Sequence, residues 1–432
     1  MIKKTFIQVA KENNQLLVGL LIVLCIFLSF YIKPFIYIAL LSSAISLSFF
    51  SVRNSFCLML LLLPFAQIFK PTAEGTSCFT ILQFLLFFKC FVKHPFFSSN
   101  YIFFVLCFPL YVFVCSLVGD NFDLFKIIKL FVGLSIVYFF VKFYIESELE
   151  FYTTCFCAGL SLSILIGMFK EVIPGLLLYY SDLNMQYIQG IQVLRFSATF
   201  RDPNYFSIAV ICCLGLILCT FYSKGFKIRW LVFSVLLIAA GVQTYSKSFV
   251  LMLLFLIAVS LRLLMGKNDL RKLFTVICVM CAVFLCAAHF LRDSIQMIIR
   301  RFDVASNLET LTSGRNSIWD VYLSHIADNP RVFVLGEGID APYILGAAHN
   351  MYIEIFYYVG LLGFIFYVFS LFGIFNARKI HRHKLINYYM LLIIAIMYLF
   401  LNGFTAFELP FYFIISWIVL NEDFSKKEPR LC

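Results

Sequence analysis

The chain is built of long, unbroken apolar runs separated by short polar breaks, not of residues alternating with a period of two. Runs near 15–32, 34–50, 55–69, 78–92, 101–118, 124–145 and 151–173 are followed by others near 204–222, 228–243, 248–265, 273–291, 351–375, 388–404 and 409–420. A helix needs about 20 apolar residues to cross a hydrocarbon core of about 30 Å, so the pattern predicts up to fourteen spans. The runs at 55–69, 78–92 and 409–420 are short, and tilted or re-entrant segments there lower the count to twelve or thirteen. An outer-membrane barrel would instead show alternating segments of about ten residues. The predicted fold is all-α: a polytopic bundle of about 12–14 transmembrane helices with a large helical extracytoplasmic loop.

Composition agrees with this pattern. Of 432 residues, 62% are hydrophobic and only 13% charged, and the mean hydropathy is +0.95; a soluble domain has about 25% charged residues. The formal charge of +11 would suggest nucleic acid in a soluble protein. Here it follows topology: with the N-terminus inside, 21 of the 34 basic residues fall on the cytoplasmic side, concentrated in the short loops around 224, 267 and 380, as the positive-inside rule requires. The first run follows Lys3, Lys4 and Lys11, lacks a small-residue cleavage site and leads into a second run, so it reads as an uncleaved anchor. Of the 15 cysteines, nearly all lie inside apolar runs and none in the long outer loops, which makes them small core residues; Cys278 and Cys281 form a mid-span CxxC with no histidine nearby.

The chain divides into helices over 1–173, an arginine-bearing outer loop at 174–203, central helices over 204–291, a large outer loop at 292–350 that reads as a lid, and C-terminal helices with a cytoplasmic tail over 351–432. Long loops are usually functional or disordered, and both of these carry apolar residues at helical spacing, which favours order. An amphipathic helix over 293–304 would rest on the membrane surface through Ile295, Ile298, Ile299 and Phe302. A second helix, over 316–327 with a stripe of Ile318, Tyr322 and Ile326, stops at Asn329 and Pro330, with Thr312, Ser313 and Gly314 ahead of it as cap or turn. Arg315 then stands at a helix N-terminus, where backbone N–H groups and a guanidinium can share a phosphate.

In the other loop, Arg195 and Arg201 lie in VLRFSATFRDPNYFS, with Asp202, Pro203 and Asn204 opening the next span as cap and first turn. Either arginine could instead snorkel to lipid headgroups. His349 ends the long loop and can take a proton from a hydroxyl near neutral pH; His325 is a second candidate of this kind. Glu354, one turn into the following span, should face inward as partner to an arginine or orienter of His349, because a carboxylate in hydrocarbon is costly. Glu408 and Lys247 read as loop residues in water, and Gly336, Glu337 and Gly338 as a turn.

These residues resemble the O-antigen ligase and O-antigen polymerase group of bacterial surface-polysaccharide enzymes. His349 and Asn350, then nine residues, then Gly360, Leu361, Leu362 and Gly363 match that family's pattern of H, N/S/Q, nine residues and GxxG. RFSATFRDPNYFS, TYSKS around Ser246 and SGRNSIW around Arg315 follow the family in the same order, so the similarity covers about residues 190–365. The family often has glycine where Ala198 stands and arginine where Lys247 stands. The resemblance implies a metal-independent, cofactor-free, inverting glycosyltransferase in the bacterial plasma membrane, acting at its outer face on an undecaprenyl-pyrophosphate-linked oligosaccharide. Arg195, Arg201 and Arg315 would hold the pyrophosphate, His349 would be the base, and Asn204, Asn350 and Glu354 would bind substrate. The expected partners are the lipid bilayer, a chain-length regulator and a flippase, with no nucleic acid.

The RFSATFRDPNYFS variant looks more like capsular and exopolysaccharide polymerases than like ligases, which transfer glycan to a lipid A core. A transporter or lipid-linked oligosaccharide flippase would show related halves and sites at the midplane; no such repeat is visible. A purely structural membrane subunit would not need arginine-bearing loops and a histidine at this spacing.

Overall fold

A computed structural model of the chain describes residues 2–94, 99–144, 148–180, 185–188, 191–225, 227–265, 292–303, 314–377 and 388–422. The run at 273–291 with Cys278 and Cys281, the cap residues Thr312 and Ser313, and the basic residues of the loops around 267 and 380 lie outside the described residues.

About three quarters of the described residues are helical. In chain order the helices are α1 (Ile2–Leu28), α2 (Phe35–Phe49), α3 (Val52–Leu62) continued by a tight turn at Leu63–Phe65, α4 (Cys78–Lys93), α5 (Ser99–Val118), α6 (Leu124–Phe143) and α7 (Leu149–Met168). A two-stranded hairpin follows, β1 (Met185–Ile188) and β2 (Ile191–Leu194). Then come α8 (Pro203–Lys224), α9 (Ile228–Val242), α10 (Lys247–Met265), α11 (Arg292–Asp303), α12 (Arg315–Asp328), α13 (Pro330–Leu335), α14 (Met351–Phe375), α15 (Tyr389–Met397) and α16 (Leu409–Leu420). Among the described residues, five helices (α5, α6, α7, α8 and α14) are long and apolar enough to cross a membrane, and five more apolar segments of 10–17 residues accompany them. Apolar residues also cover outward faces: on α2, Tyr37, Ile38, Leu41 and Ile45 are all exposed. Helices apolar inside and out need hydrocarbon around them, and the fold is an all-α membrane helix bundle.

Sequence explains where the helices begin. Ser51 accepts the Asn54 amide at 3.2 Å, Asp123 the Lys126 amide at 3.0 Å and Asp202 the Asn204 amide at 2.6 Å, each satisfying a donor that a first turn leaves open. Asp202 and Pro203 thus form the cap and first turn that their order predicts. The amphipathic helix is α11, with none of its described residues buried, and α12 starts and stops within a residue of its expected bounds before Asn329 and Pro330. Two expectations need correction. Helical spacing in the 174–203 loop gives way to the hairpin, because MQYI and IQVL are short runs rich in strand formers joined by two residues ending in glycine. The run at 388–404 is helical only to Met397; residues beyond it are drawn into irregular structure by bonds from α12 and α14 described below.

The chain forms two compact units. The first comprises Met1–Leu86, Ser147–Arg301 and Glu422–Cys432. At its centre α8 packs on α7, α9 and α10, and hydroxyls join the helices: Thr153 to Thr220 at 2.7 Å and Ser207 to Thr244 at 3.1 Å. Such bonds and close small-residue contacts hold helices together where lipid offers no hydrophobic gain. Ion pairs collect at one end of this unit, Arg53 with Glu148, Lys227 and Arg229 with Glu150, and Lys224 with Glu422. The described residues of the connections 66–77, 169–202 and 243–246 lie at the other end by alternation of the helices. They are bonded to one another, Phe196 donating to the Gln243 carbonyl at 3.0 Å.

The second unit comprises Phe87–Glu146 and Phe302–Asn421. Here α14 packs on α5, α6, α12 and α13, and α16 on α6 and α15. Helix α14 breaks at Gly360, whose φ of +63° is open to glycine at no steric cost; a Cβ there would lie 2.5 Å from the Val334 carbonyl carbon. The break frees carbonyls that other elements satisfy. Glu337 and Gly338 amides donate to the Tyr357 and Tyr358 carbonyls at 2.8 and 2.9 Å, and the Tyr111 hydroxyl to Val359 at 3.0 Å. Gly336 to Gly338 is the turn read from its glycines, fitted against this kink.

Candidate functional site

In the first unit, Arg195 follows β2 directly and is only 7% exposed, so the alternative that it snorkels to headgroups is excluded. Its Nε donates to the Thr244 carbonyl at 2.8 Å and Nη2 to Asn204 Oδ1 at 3.0 Å. Asn204 Oδ1 also accepts the Ser246 hydroxyl at 3.2 Å, and Ser246 reaches Ser248 at 2.8 Å. Asn204 thus couples the arginine to the TYSKS stretch at the start of α10. Beneath this loop, a Cβ at Gly167 would stand 2.5 Å from Ala198 Cα, so glycine lets α7 end against the 195–202 backbone. Ala198 itself has φ +51°, a left-handed conformation that favours glycine.

Arg195 lines a cavity of about 440 Å³ together with Gly167, Met168, Lys170, Glu171, Gln243, Tyr245 and Ser294. Lys170 is also 7% exposed; its ammonium lies 5.2 Å from the Tyr180 ring centroid and, among the described residues, makes no ion pair. Burial lowers the Lys170 pKa, and Glu171 opposes that in part. Nearby in the chain fold, Lys70 is lowered by burial and further by the like charge of Arg201, which is exposed. Arg301 of α11 donates to the Tyr245 carbonyl. Two buried cations on one cavity, with Arg301 bonded to Tyr245 of its lining, form a region where an anion would be favoured.

In the second unit, Arg315 occupies the first position of α12 after Gly314, whose φ is +77°, and its Nη1 donates to the Phe400 carbonyl at 3.0 Å. His349 is half-buried with φ +49°. Such a conformation is costly for a non-glycine residue and is maintained by its surroundings. Those surroundings are visible: Trp319 donates to the Ala348 carbonyl at 2.8 Å, Tyr322 to that of Gly346 at 2.9 Å, and the Met351 amide to Tyr398 at 2.9 Å. Asn350 accepts the Tyr352 and Ile353 amides at 3.0 and 3.2 Å, so its carbonyl oxygen caps α14. His325 pairs with Glu337 at 3.0 Å.

Glu354 is 9% exposed but bonds neither an arginine nor His349. It accepts the Gly403 and Phe404 amides at 3.0 and 3.4 Å, since backbone donors of the irregular 398–408 connection reach it first. Glu408 also departs from expectation: it is 2% exposed, not in water, because the connection before α16 folds inward.

Arg195, Arg201 and Asn204 therefore belong to the first unit, and Arg315, His349, Asn350 and Glu354 to the second. Lys170, Tyr245 and Gln243 were not visible as site residues. Lys170 sits where any span end carries a lysine, and only the partnering of the 169–202 and 243–246 connections brings it to Arg195. No protein-family model matches the chain, and no curated protein is similar to it.

Proposed function

We propose that the protein is a polymerase-type glycosyltransferase that joins undecaprenyl-pyrophosphate-linked oligosaccharide repeat units at the outer face of a bacterial plasma membrane, with twelve to fourteen spans and the N-terminus inside. The observation that carries this reading is the pair of buried cations, Arg195 and Lys170, on one cavity. In it, phosphate oxygens sit against Lys170 and Arg195, and the guanidinium, fixed by Thr244 and Asn204, meets the charge that grows on the diphosphate as the glycosidic bond breaks. Preorganised donors of this kind lower a barrier because they need no rearrangement during reaction. The sequence resemblance gives His349 the role of base toward the acceptor hydroxyl. The oxygen attacks the anomeric carbon from the face opposite the diphosphate, which departs with the bonding pair, so the anomeric configuration inverts. Asn350 acts in this reading by setting the start of α14 just after His349. A chain-length regulator and a flippase are the proposed protein partners.

The test is the glycan ladder of cells lacking the native gene and complemented with wild type, Arg195→Ala or His349→Ala. Both variants should insert at normal levels and leave single repeat units unextended, a loss of at least about a hundredfold for a missing base or charge stabiliser. Full-length chains from either variant remove that residue from the mechanism. Long chains that form but fail to reach a lipid acceptor would point to a ligase instead.

A further inference from the structure

Tyr245 occupies the residue just past the C-terminal turn of α9 with φ +50°. Its amide closes that turn on the Val242 carbonyl at 3.1 Å. Helices commonly end in this left-handed conformation, but with glycine or asparagine, which adopt it readily. A tyrosine there works against backbone preference, and such strain persists where the side chain is held for a purpose. Two contacts hold it: Arg301 bonds its carbonyl, and the phenol oxygen lies 3.5 Å from Ser294 Oγ, at the limit of a hydrogen bond. Both Tyr245 and Ser294 line the cavity of Arg195 and Lys170, as do Gln243 and Glu171. Among the described residues, the Gln243 side-chain amide and the Glu171 carboxylate have no hydrogen-bond partner or ion pair.

The cavity is thus mixed in its chemistry: its lining holds two cations and also a phenol, a hydroxyl, an amide and a carboxylate. A phosphate alone needs only the cations. Neutral donors and acceptors beside an aromatic ring are what a sugar ring requires, since hydroxyls are read by hydrogen bonds and the ring carbons pack on an aromatic face. The cavity, of about 440 Å³, is in the size range of sites that hold one small ligand.

We infer that Tyr245, with Gln243 and Ser294, reads the single sugar attached directly to the phosphate, so that this cavity selects a sugar 1-phosphate by its first ring and leaves the rest of the glycan outside. The inference rests on the reading of Arg195 and Lys170 as a phosphate site. A sugar that presents its hydroxyls to Gln243 and Tyr245 binds; a bare phosphate fills only the cationic part.

The test uses the full-length protein in lipid nanodiscs and calorimetric titration with inorganic phosphate, inorganic pyrophosphate, and the 1-phosphates of glucose, galactose, N-acetylglucosamine and N-acetylgalactosamine. At least one sugar 1-phosphate should bind about tenfold tighter than inorganic phosphate, as a site built around hydroxyls demands. Tyr245→Phe should cut that advantage by roughly threefold to tenfold, the worth of one neutral hydrogen bond. Tyr245→Asn, which suits the left-handed backbone and so keeps the fold, should erase it, with phosphate affinity unchanged in both; Gln243→Leu should narrow it likewise. Arg195→Ala should weaken every anion alike. Sugar phosphates that bind no tighter than phosphate, or an advantage that survives Tyr245→Asn and Gln243→Leu, overturn the inference and leave the phosphate site standing. A wild type that binds neither phosphate nor pyrophosphate overturns the phosphate reading itself, and the inference with it.

Discussion

Taking a carboxylate out of water favours its protonated form, and Glu408 is the clearest case outside the helices. Burial holds its carboxyl up to about 7 against an ordinary 4.5, with a bond from its own backbone and the charge of Lys129 opposing the rise in part; Oε2 has no hydrogen-bond partner among the described residues. The folded state therefore keeps a proton that the unfolded chain gives up. That contribution is complete below pH 4.5 and is lost as pH climbs through 7, a change on the order of 3 kcal/mol. Wild type should lose melting temperature over this range, and Glu408→Gln should lose visibly less in the same scans; parallel curves would show that the carboxyl is not what titrates. At this scale the sequence was informative about which atoms carry charge and poor on where they go. Arg195 and His349 stand out by their motifs. The burial of Lys170 and Glu408, and the amides that take up Glu354, depend on connections folding over one another, for which local pattern holds no sign.

Among the elements, legibility follows the strength of the local signal. Apolar runs and the cap at Asp202 mark helices, because a helix satisfies its own backbone and starts where a side chain accepts the first free amides. The hairpin was hidden in a loop read at helical spacing, and the break in α14 in a longer apolar run. Gly360 is part of the motif that carries the resemblance, and its place in the structure gives it a task there: it turns the chain, admits the Val334 and Leu335 backbone, and frees carbonyls for the 336–338 turn. Gly360→Ala meets both a strained φ and a contact at 2.5 Å, so it should destabilise by about 2–4 kcal/mol. Thermal melts in detergent check this, and a loss under about 1 kcal/mol would mean that the two segments separate freely.

For the molecule as a whole, the segregation of charge into one end of the first unit and the cavity-lining connections at the other follows from helices that run alternately in opposite directions. In the proposed topology the positive-inside rule puts the ion-paired end in the cytoplasm. A phosphatase that is active only outside the cytoplasm should work when fused after Val172 and be silent after Gly225. The reverse result would put the cavity on the cytoplasmic side and end the proposed mechanism. The number of spans was less legible, because length and hydropathy do not separate a short tilted helix from one that turns back.

The two units take their helices in interleaved order: the first uses the chain up to residue 86 and again from 147 to 301, and the second fills in from 87 to 146 and from 302 to 421. On a ribosome, the first unit therefore stays unfinished while helices of the second are already in the bilayer, and those must wait, without their mates, until the chain has been made as far as residue 421. A gene cut between 146 and 147 would yield two fragments, neither of which holds all the helices of either unit.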